Sequence, residues 1–392
     1  MTRTRSQITS VSGPNEAQGK KTDSKPAKGR SWKGVKRGAE ETETTKREAS
    51  PAPKKTKMDS TSGVIERGHI YFFYRPRVQH ESTESLDDVR NTHMLLVPRP
   101  PRFSVHDASK STDETAGSAK QENADEDEPE MQVLAEGADA VPAPASTAPG
   151  SPPKHFRIVT IGKKHLPDPE VGGAGRDRRQ TFWATVTSVG DDPHELEQSL
   201  GERTYETKTR GTRHVEPARL AARGAYAIVN NDPEVPSKRT THFGYHISHP
   251  RVPGDVQKEL GIGQAASFVL QVKNPLAPAT GPQQVHSKGA AYPEEIMRGI
   301  FGKGGARGRE AYGLRFARCE VPELLDYTGA EVLFIATSAG EEGLEASLGE
   351  GRGRALSELE EEESRQAVET LFKELDVDAA EFPTEPLKGE WI

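Results

Sequence analysis

The sequence of 392 residues has a single cysteine, Cys319, and few apolar side chains. One cysteine excludes an intrachain disulfide and a cysteine-based metal cluster, and it is typical of a reducing compartment. Hydrophobic residues make up 32% of the chain and aromatic residues 6%, against 29% charged residues. Because this apolar share is below that of an ordinary globular chain, we expect a good part of the sequence to be disordered.

The sequence also lacks the patterns of several other protein classes. No apolar run approaches the length of a membrane span, and the N-terminus has no apolar signal core, so we expect no membrane contact. The glycines of 172–175 lack the Gly-Lys-Ser/Thr ending of a nucleotide-binding loop. No other cofactor fingerprint is present, and we predict no cofactor.

Charge is strongly segregated along the chain. Residues 1–60 carry 15 Lys/Arg against 7 Asp/Glu, whereas residues 105–151 carry 2 against 11 and residues 340–392 carry 5 against 16. The total of −7 therefore leaves a mildly basic remainder of +5. Blocks of one sign are typical of interaction tails or solvating tails.

The first block, residues 1–62, lacks apolar periodicity, and we predict that it is disordered. Within it, lysines follow a proline in the order Pro-Lys-Lys-Thr-Lys, with basic pairs upstream. This pattern is typical of a nuclear import signal, which an import receptor binds on an extended chain. The residues that we assign to the signal are Lys36, Arg37, Lys54, Lys55 and Lys57. The alternative is a generic basic tail. On the basis of the import signal we expect a nuclear protein.

Residues 63–340 have the pattern of one α+β domain. Aromatic and β-branched runs such as 69–75, 181–189 and 242–248 predict strands, and short capped segments predict three helices. Strands outnumber helices and do not alternate with them, which favours a mainly antiparallel sheet of about seven or eight strands. The acidic and Ala/Pro-rich residues 105–153 are interpreted as a disordered insertion between neighbouring strands.

Residues 341–392 form an acidic tail. Apolar positions at helical spacing within 357–375 predict an amphipathic helix there, free to dock on the core or on a partner.

The most distinctive stretch of the domain is basic. Cationic side chains and short hydroxyls alternate over 202–216, a combination suited to phosphate or carboxylate. The predicted anion-binding residues are Arg203, Lys208, Arg210, Arg213 and His214. The alternative is a solvated basic loop between a helix and a strand.

Three histidines, His242, His246 and His249, occur in one predicted strand. The first two would lie about 13 Å apart at the usual strand rise, and the third points to the opposite face. No carboxylate or cysteine stands at a suitable spacing. We therefore predict no metal site.

Four segments of the domain, RGHIYFFYRPRV, ERTYETKTRGTRHVEPARLAARGAYAIV, HFGYHISHP and FVLQVKNPLAP, resemble a family of uncharacterised proteins. Some of its members carry the label "BTB domain transcription factor". The resemblance spans residues 64–340 and implies no particular activity or site residue. A BTB domain needs a Phe-x-x-His strand followed by a leucine-rich helical bundle, and here Phe103-Ser104-Val105-His106 runs into the acidic insertion.

Two functions fit these patterns, and the oligomeric state is not predicted. The first is a nuclear, non-catalytic binding protein that associates with nucleic acid or chromatin proteins through a basic surface. The second is an enzyme acting on a phosphorylated or carboxylated small molecule held by the Arg203–Arg213 cluster, with Glu206 or His214 carrying a proton. Whether the basic side chains converge on one concave surface discriminates between them.

Overall fold

The protein is built on antiparallel strands, as a computed structural model shows. It describes residues 63–99, 155–167, 180–209, 211–279, 288–349, 351–365, 367, 375 and 382–392. The strands are β1 (Gly63–Pro76), β2 (Val89–Pro98), β3 (Phe156–Ile161), β4 (Thr181–Gly190), β5 (Arg203–Thr207), β6 (Gly211–Val215), β7 (Arg219–Asn230), β8 (Thr241–His249), β9 (Ala265–Lys273), β10 (Phe316–Arg318) and β11 (Glu331–Ala339).

Eight of these strands close into a barrel. The order in the large sheet is β10-β9-β11-β4-β3-β2-β1-β7-β8, and β8 pairs again with β9, which completes the ring. The short β10 extends β9 beyond the end of β8. β5 and β6 form a separate two-stranded hairpin.

The barrel is filled by side chains. Along each strand alternate residues point inward, and eight strands leave an interior that side chains can pack. The inner core is aromatic: Phe334 makes edge-to-face contacts with Phe243 and Phe268, at ring-centroid distances of 5.6 and 5.8 Å. β1 contributes Ile70, Phe72 and Tyr74 to the same cluster.

In the described part of the chain, five helices accompany the strands: α1 (Pro193–Leu200), α2 (Asp255–Glu259), α3 (Glu294–Gly299), α4 (Gly340–Leu348) and α5 (Arg352–Glu363). α2 and α3 add Val256, Ile296 and Met297 to the inner core. None of the helices in the described part of the chain has the length and apolarity of a membrane span.

The outer wall of the barrel carries two further apolar clusters. α1 and the C-terminal residues, with Leu196, Leu200 and Phe382, cover the outward side chains of β1, β2 and β3. α4 and α5 cover β7, β8 and β9 through Leu344, Leu348 and Leu356. α4 comes close because Gly244 has no side chain: a Cβ there would be 2.6 Å from Leu344 Cδ1.

The predicted class, a mainly antiparallel domain with a few short helices, is confirmed by this architecture. The closure was not predicted. The strands that flank residues 100–154, β2 and β3, are neighbours in the sheet. The predicted acidic tail contributes α4, α5 and residues 382–392, all of which contact the barrel or the elements on it.

Several predictions fall on residues outside the described ones. These are the basic tail with its import residues Lys36, Arg37, Lys54, Lys55 and Lys57, the acidic insertion, and Arg210.

Candidate functional site

The basic stretch of the sequence forms the β5–β6 hairpin, which projects beside the C-terminal end of α1. Arg203 pairs with Val215 and Tyr205 pairs with Arg213 across the two strands. Since paired residues share a face and neighbours alternate, Arg203 and Arg213 lie on one face and His214 on the other. The hairpin therefore divides the predicted cluster between two faces.

The described members of the predicted anion-binding set do not share one concave surface. The His214 ring lies between two carboxylates, 3.4 Å from Glu202 Oε1 and 3.0 Å from Glu216 Oε1. Arg213 donates to the side-chain oxygen of Gln79, and Lys208 is exposed at the turn. Of the described members of the cluster, Arg203 lines a cavity.

That cavity, which we call the basic cavity, measures about 580 Å³. It lies between the outer wall of β2–β4 and the hairpin, and its cationic residues are Arg75, Arg90 and Arg203. Hydroxyl groups complete its lining; they belong to Thr160, Thr187, Ser188, Ser199, Thr204 and Tyr205. None of the described residues that line it is acidic. Guanidinium groups with hydroxyls and no competing carboxylate form a suitable surface for an anion.

Arg75 forms the fixed part of this surface. It is 5% exposed, and its guanidinium donates four hydrogen bonds of 2.8–3.1 Å to backbone carbonyls, those of Ser199, Leu200, Gly201 and Glu216. Three of them lie at the C-terminal end of α1, where carbonyls lack helical partners and the dipole favours a cation. The residue thereby joins β1 to α1 and the hairpin.

The charges of the basic cavity repel one another. Burial, together with the positive charges of Arg203 and Arg90, lowers the pKa of Arg75 to about 10. A bound anion would relieve this repulsion, because an opposite charge stabilises each protonated guanidinium.

His93, on the outer face of β2, lies in the same cavity. Burial lowers its pKa to about 3, with further lowering by the charges of Arg75, Arg203 and Arg90, so the ring is neutral at pH 7. Nδ1 lies 2.9 Å from Thr160 Oγ1, and Thr160 lies 3.0 Å from Thr187 Oγ1. Thr187 in turn donates to the carbonyl of Ile158.

This chain of hydroxyls sets the tautomer of His93. Since Thr187 donates onward to a carbonyl, it accepts from Thr160, and Thr160 accepts from His93. Nδ1 therefore carries the proton and Nε2 carries the lone pair. Nε2 is buried without a hydrogen-bond partner among the described residues. It is an acceptor without a described partner in a cavity that carries three guanidinium groups.

Sequence reasoning missed Arg75, Arg90 and His93. Arg75 ends the aromatic β1 strand, where an ion pair at a sheet edge is the commoner outcome, and the other two belong to β2. The available signal is the alternation of β2: it places His93 on the opposite face from Met94, which is in the inner core. Their meeting with Arg203 depends on the hairpin folding back over the wall.

A second polar group looks catalytic in composition but is fully paired. Arg157, 3% exposed, donates to both oxygens of Glu66 at 2.5 and 2.7 Å and to Asp326 at 2.6 Å. The Tyr226 hydroxyl donates to Glu66 Oε1 at 2.8 Å. Burial opposes the charge of Arg157, but the carboxylate of Glu66 raises its pKa overall. These groups satisfy one another inside the barrel and have a structural role.

The three histidines of β8 do not converge. His242 Nε2 lies 2.9 Å from Thr240 Oγ1, His249 Nδ1 lies 3.1 Å from Ser248, and His246 faces Glu341. The donor atoms that do come together belong to His69, Glu360 and Glu363. Arg223 contacts all three of these side chains and is fully buried, so a guanidinium already pairs with both carboxylates.

The chain matches no protein-family model, no curated protein and no solved structure at a significant level of similarity. Its function is therefore argued from the geometry of the site.

Proposed function

We propose that the protein is a non-catalytic binding protein for a phosphate-bearing ligand, which it holds in the basic cavity. The observation that carries this proposal is the convergence of Arg75, Arg90 and Arg203 on a concavity whose described lining has no carboxylate. Charge-assisted hydrogen bonds from guanidinium to phosphate are about twice as strong as neutral ones. The cavity volume falls within the usual range for small-molecule sites, about 300–1,000 Å³.

The other groups of the cavity suggest how such a ligand is oriented. Nε2 of His93 accepts a hydrogen bond from a ligand hydroxyl, because its lone pair is free and the ring is neutral. Tyr205 is 43% exposed and lines the same cavity, so its ring is accessible for stacking. Phosphate, hydroxyl and aromatic base occur together in a nucleotide.

Binding is favoured over catalysis by the state of the ionisable groups. A general base functions best with a pKa near the working pH, and the pKa of His93 lies far below pH 7. His214, the proton carrier of the enzyme hypothesis, lies on the opposite face of the hairpin from Arg203 and between Glu202 and Glu216.

The test is a calorimetric titration of the full chain with inorganic phosphate, ribose 5-phosphate, adenosine monophosphate and a ten-nucleotide single strand. The variant Arg90→Gln/Arg203→Gln should bind the monophosphate at least about tenfold more weakly, since two charge-assisted contacts are lost. The charge-matched control Lys208→Gln/Arg213→Gln, on the same hairpin, should bind like wild type. Equal losses in both variants would contradict a site in the basic cavity.

Nucleic acid as the natural ligand is the more specific form of the proposal. The hairpin cations Lys208 and Arg213 would then contact further phosphates of the strand. In that case the control variant should lose affinity for the oligonucleotide but not for the monophosphate. Its log–log salt dependence should flatten by about 0.7 for each lost contact to a single strand. Unchanged oligonucleotide binding in the control would leave the small ligand as the partner.

A nuclear location remains a prediction from residues 1–62. Replacing Lys54, Lys55 and Lys57 with alanine should move a tagged protein out of the nucleus, because the import receptor would lose its cationic contacts. Fluorescence microscopy measures the distribution, and an unchanged nuclear signal would contradict the import signal.

A further inference from the structure

A second cavity, with a mainly acidic lining, lies between α4, α5 and the end of β8. It measures about 850 Å³, and six of its lining residues are glutamates against two arginines, Arg251 and Arg354. We call it the acidic cavity. Helical spacing brings the acids together: Glu341 and Glu345 lie one turn apart on α4, and Glu358 and Glu361 one turn apart on α5.

Two of these glutamates are held by structural partners. Glu345 accepts hydrogen bonds from the backbone N–H groups of Gly351 and Arg354, and Glu360 is buried against Arg223. Glu341 is 69% exposed, and its position in the first turn of α4 suits the helix dipole. Like charges at spacings of three and four residues nevertheless destabilise a helix by about 0.2–0.5 kcal/mol per pair, so both helices would gain from a cation.

His246 is the independent sign of a ligand in this cavity. It lies on the outer face of β8, is 4% exposed and lines the acidic cavity. Neither ring nitrogen has a hydrogen-bond partner among the described residues, and Nε2 lies 3.6 Å from Glu341 Oε1. A buried polar group without a partner costs free energy, so a ligand N–H that completes it would be stabilising.

The arrangement points to a cation with several charges rather than to a metal ion. Metal ligands lie within a few ångströms of one another, and among the described residues the set that does so is His69, Glu360 and Glu363, already bonded to Arg223. The exposed acids of the cavity are instead spread over two helices. Ala346 supplies apolar lining between them.

We propose that the acidic cavity binds a linear aliphatic polyamine. Ammonium groups would pair with Glu341, Glu358 and Glu361, one N–H would donate to His246, and the methylene chain would contact Ala346. A lysine-rich peptide offers the same ammonium chemistry. The concave shape and the volume, within the small-molecule range, favour the free amine.

The test is a calorimetric titration of the full chain with spermidine at constant ionic strength. Glu341→Gln/Glu361→Gln should weaken binding by about tenfold, because two ion pairs with the ligand are lost. The control Glu234→Gln/Glu295→Gln removes the same charge at exposed positions away from the cavity, and it should bind within about twofold of wild type. His246→Phe keeps the ring volume without the nitrogens and should weaken binding by about fivefold.

Three results would overturn the proposal. One is equal binding by wild type and the Glu341/Glu361 variant while both remain folded by circular dichroism. Another is displacement of spermidine by an equal concentration of Mg²⁺, since this would reduce the cavity to an ordinary counterion atmosphere. The third is tighter binding of tetralysine than of spermidine, which would assign the surface to a peptide.

Discussion

The two cavities use the same structural device with opposite charge. In each, a histidine on the outer wall of the barrel is buried by an added element: His93 by the hairpin and α1, His246 by α4 and α5. Burial lowers both pKa values, but arginines lower that of His93 further, whereas Glu341 opposes the lowering at His246. The barrel wall thus supplies a neutral imidazole, and the covering element decides which ligand charge is attracted.

The largest difference between the two cavities is predicted for the loss of stability when one of their arginines is replaced. Arg75→Met should destabilise the protein by about 3–5 kcal/mol, because four carbonyls lose a charged donor and remain partly buried. Arg251→Met in the acidic cavity, at an exposed position, should cost less than about 0.5 kcal/mol. Urea denaturation measures both free energies of unfolding. Similar values for the two variants would show that Arg75 is not a structural anchor.

The pH dependence of stability should separate the two histidines. Because the pKa of His93 is about 3 when folded, the unfolded chain takes up a proton below about pH 6.5 while the native state does not. This contribution to stability is complete above pH 6.5 and is lost as the pH falls, by at most about 1.4 kcal/mol per pH unit.

His93→Gln should remove that part of the slope, as measured by denaturation at pH 4.5, 5.5 and 6.5. His246→Gln should change the slope less, because Glu341 partly compensates burial at His246. A larger change of slope in the His246 variant than in the His93 variant would contradict this prediction.

A substitution at one glycine should affect the acidic cavity and leave the basic cavity unchanged. Gly244→Ala places a Cβ 2.6 Å from Leu344 Cδ1 and should displace α4 at a cost of about 1–2 kcal/mol. Spermidine affinity should fall, while affinity for the monophosphate stays at the wild-type value. In the control Gly263→Ala, the nearest atom is 3.6 Å from the new Cβ, and neither affinity should change. A loss of both affinities would mean that the two cavities are coupled through the sheet.

The smallest effect is expected at the hairpin tip. Lys208→Ala removes an exposed cation and should change the free energy of unfolding by less than about 0.5 kcal/mol and monophosphate affinity by less than about twofold. Thermal denaturation and calorimetry on one preparation measure both. A clear loss of monophosphate affinity would indicate that the anion site extends over the whole basic stretch.

Local patterns predicted the elements of this fold better than their pairing. The aromatic run at 69–75 and the alternation at 242–248 gave β1 and β8, since burial of one face imposes a period of two. Closure depends on the pairing of β8 with β9, a contact that no periodicity encodes. The sequence of the hairpin predicts a loop or an anion-binding cluster rather than two strands, because both strands have exposed faces and little apolar alternation.

The site was less predictable than the fold for a related reason. Arg203 was identified because it belongs to a dense basic stretch, but its partners Arg75 and His93 stand alone among apolar neighbours. The pattern of β8 compares His246 only with the histidines of its own strand, whereas its partner Glu341 belongs to α4, far along the chain. Charge density in sequence detects clusters on one segment and misses those that the sheet assembles.

The most direct test of the account is histidine-selective NMR of the full chain. The ring signals of His93 and His246 can be assigned from the His93→Gln and His246→Gln variants, and each ligand is then added separately. We predict that adenosine monophosphate shifts the His93 signals and leaves those of His246 unchanged, and that spermidine does the reverse. Shifts of neither histidine, or equal shifts of both with either ligand, would contradict it.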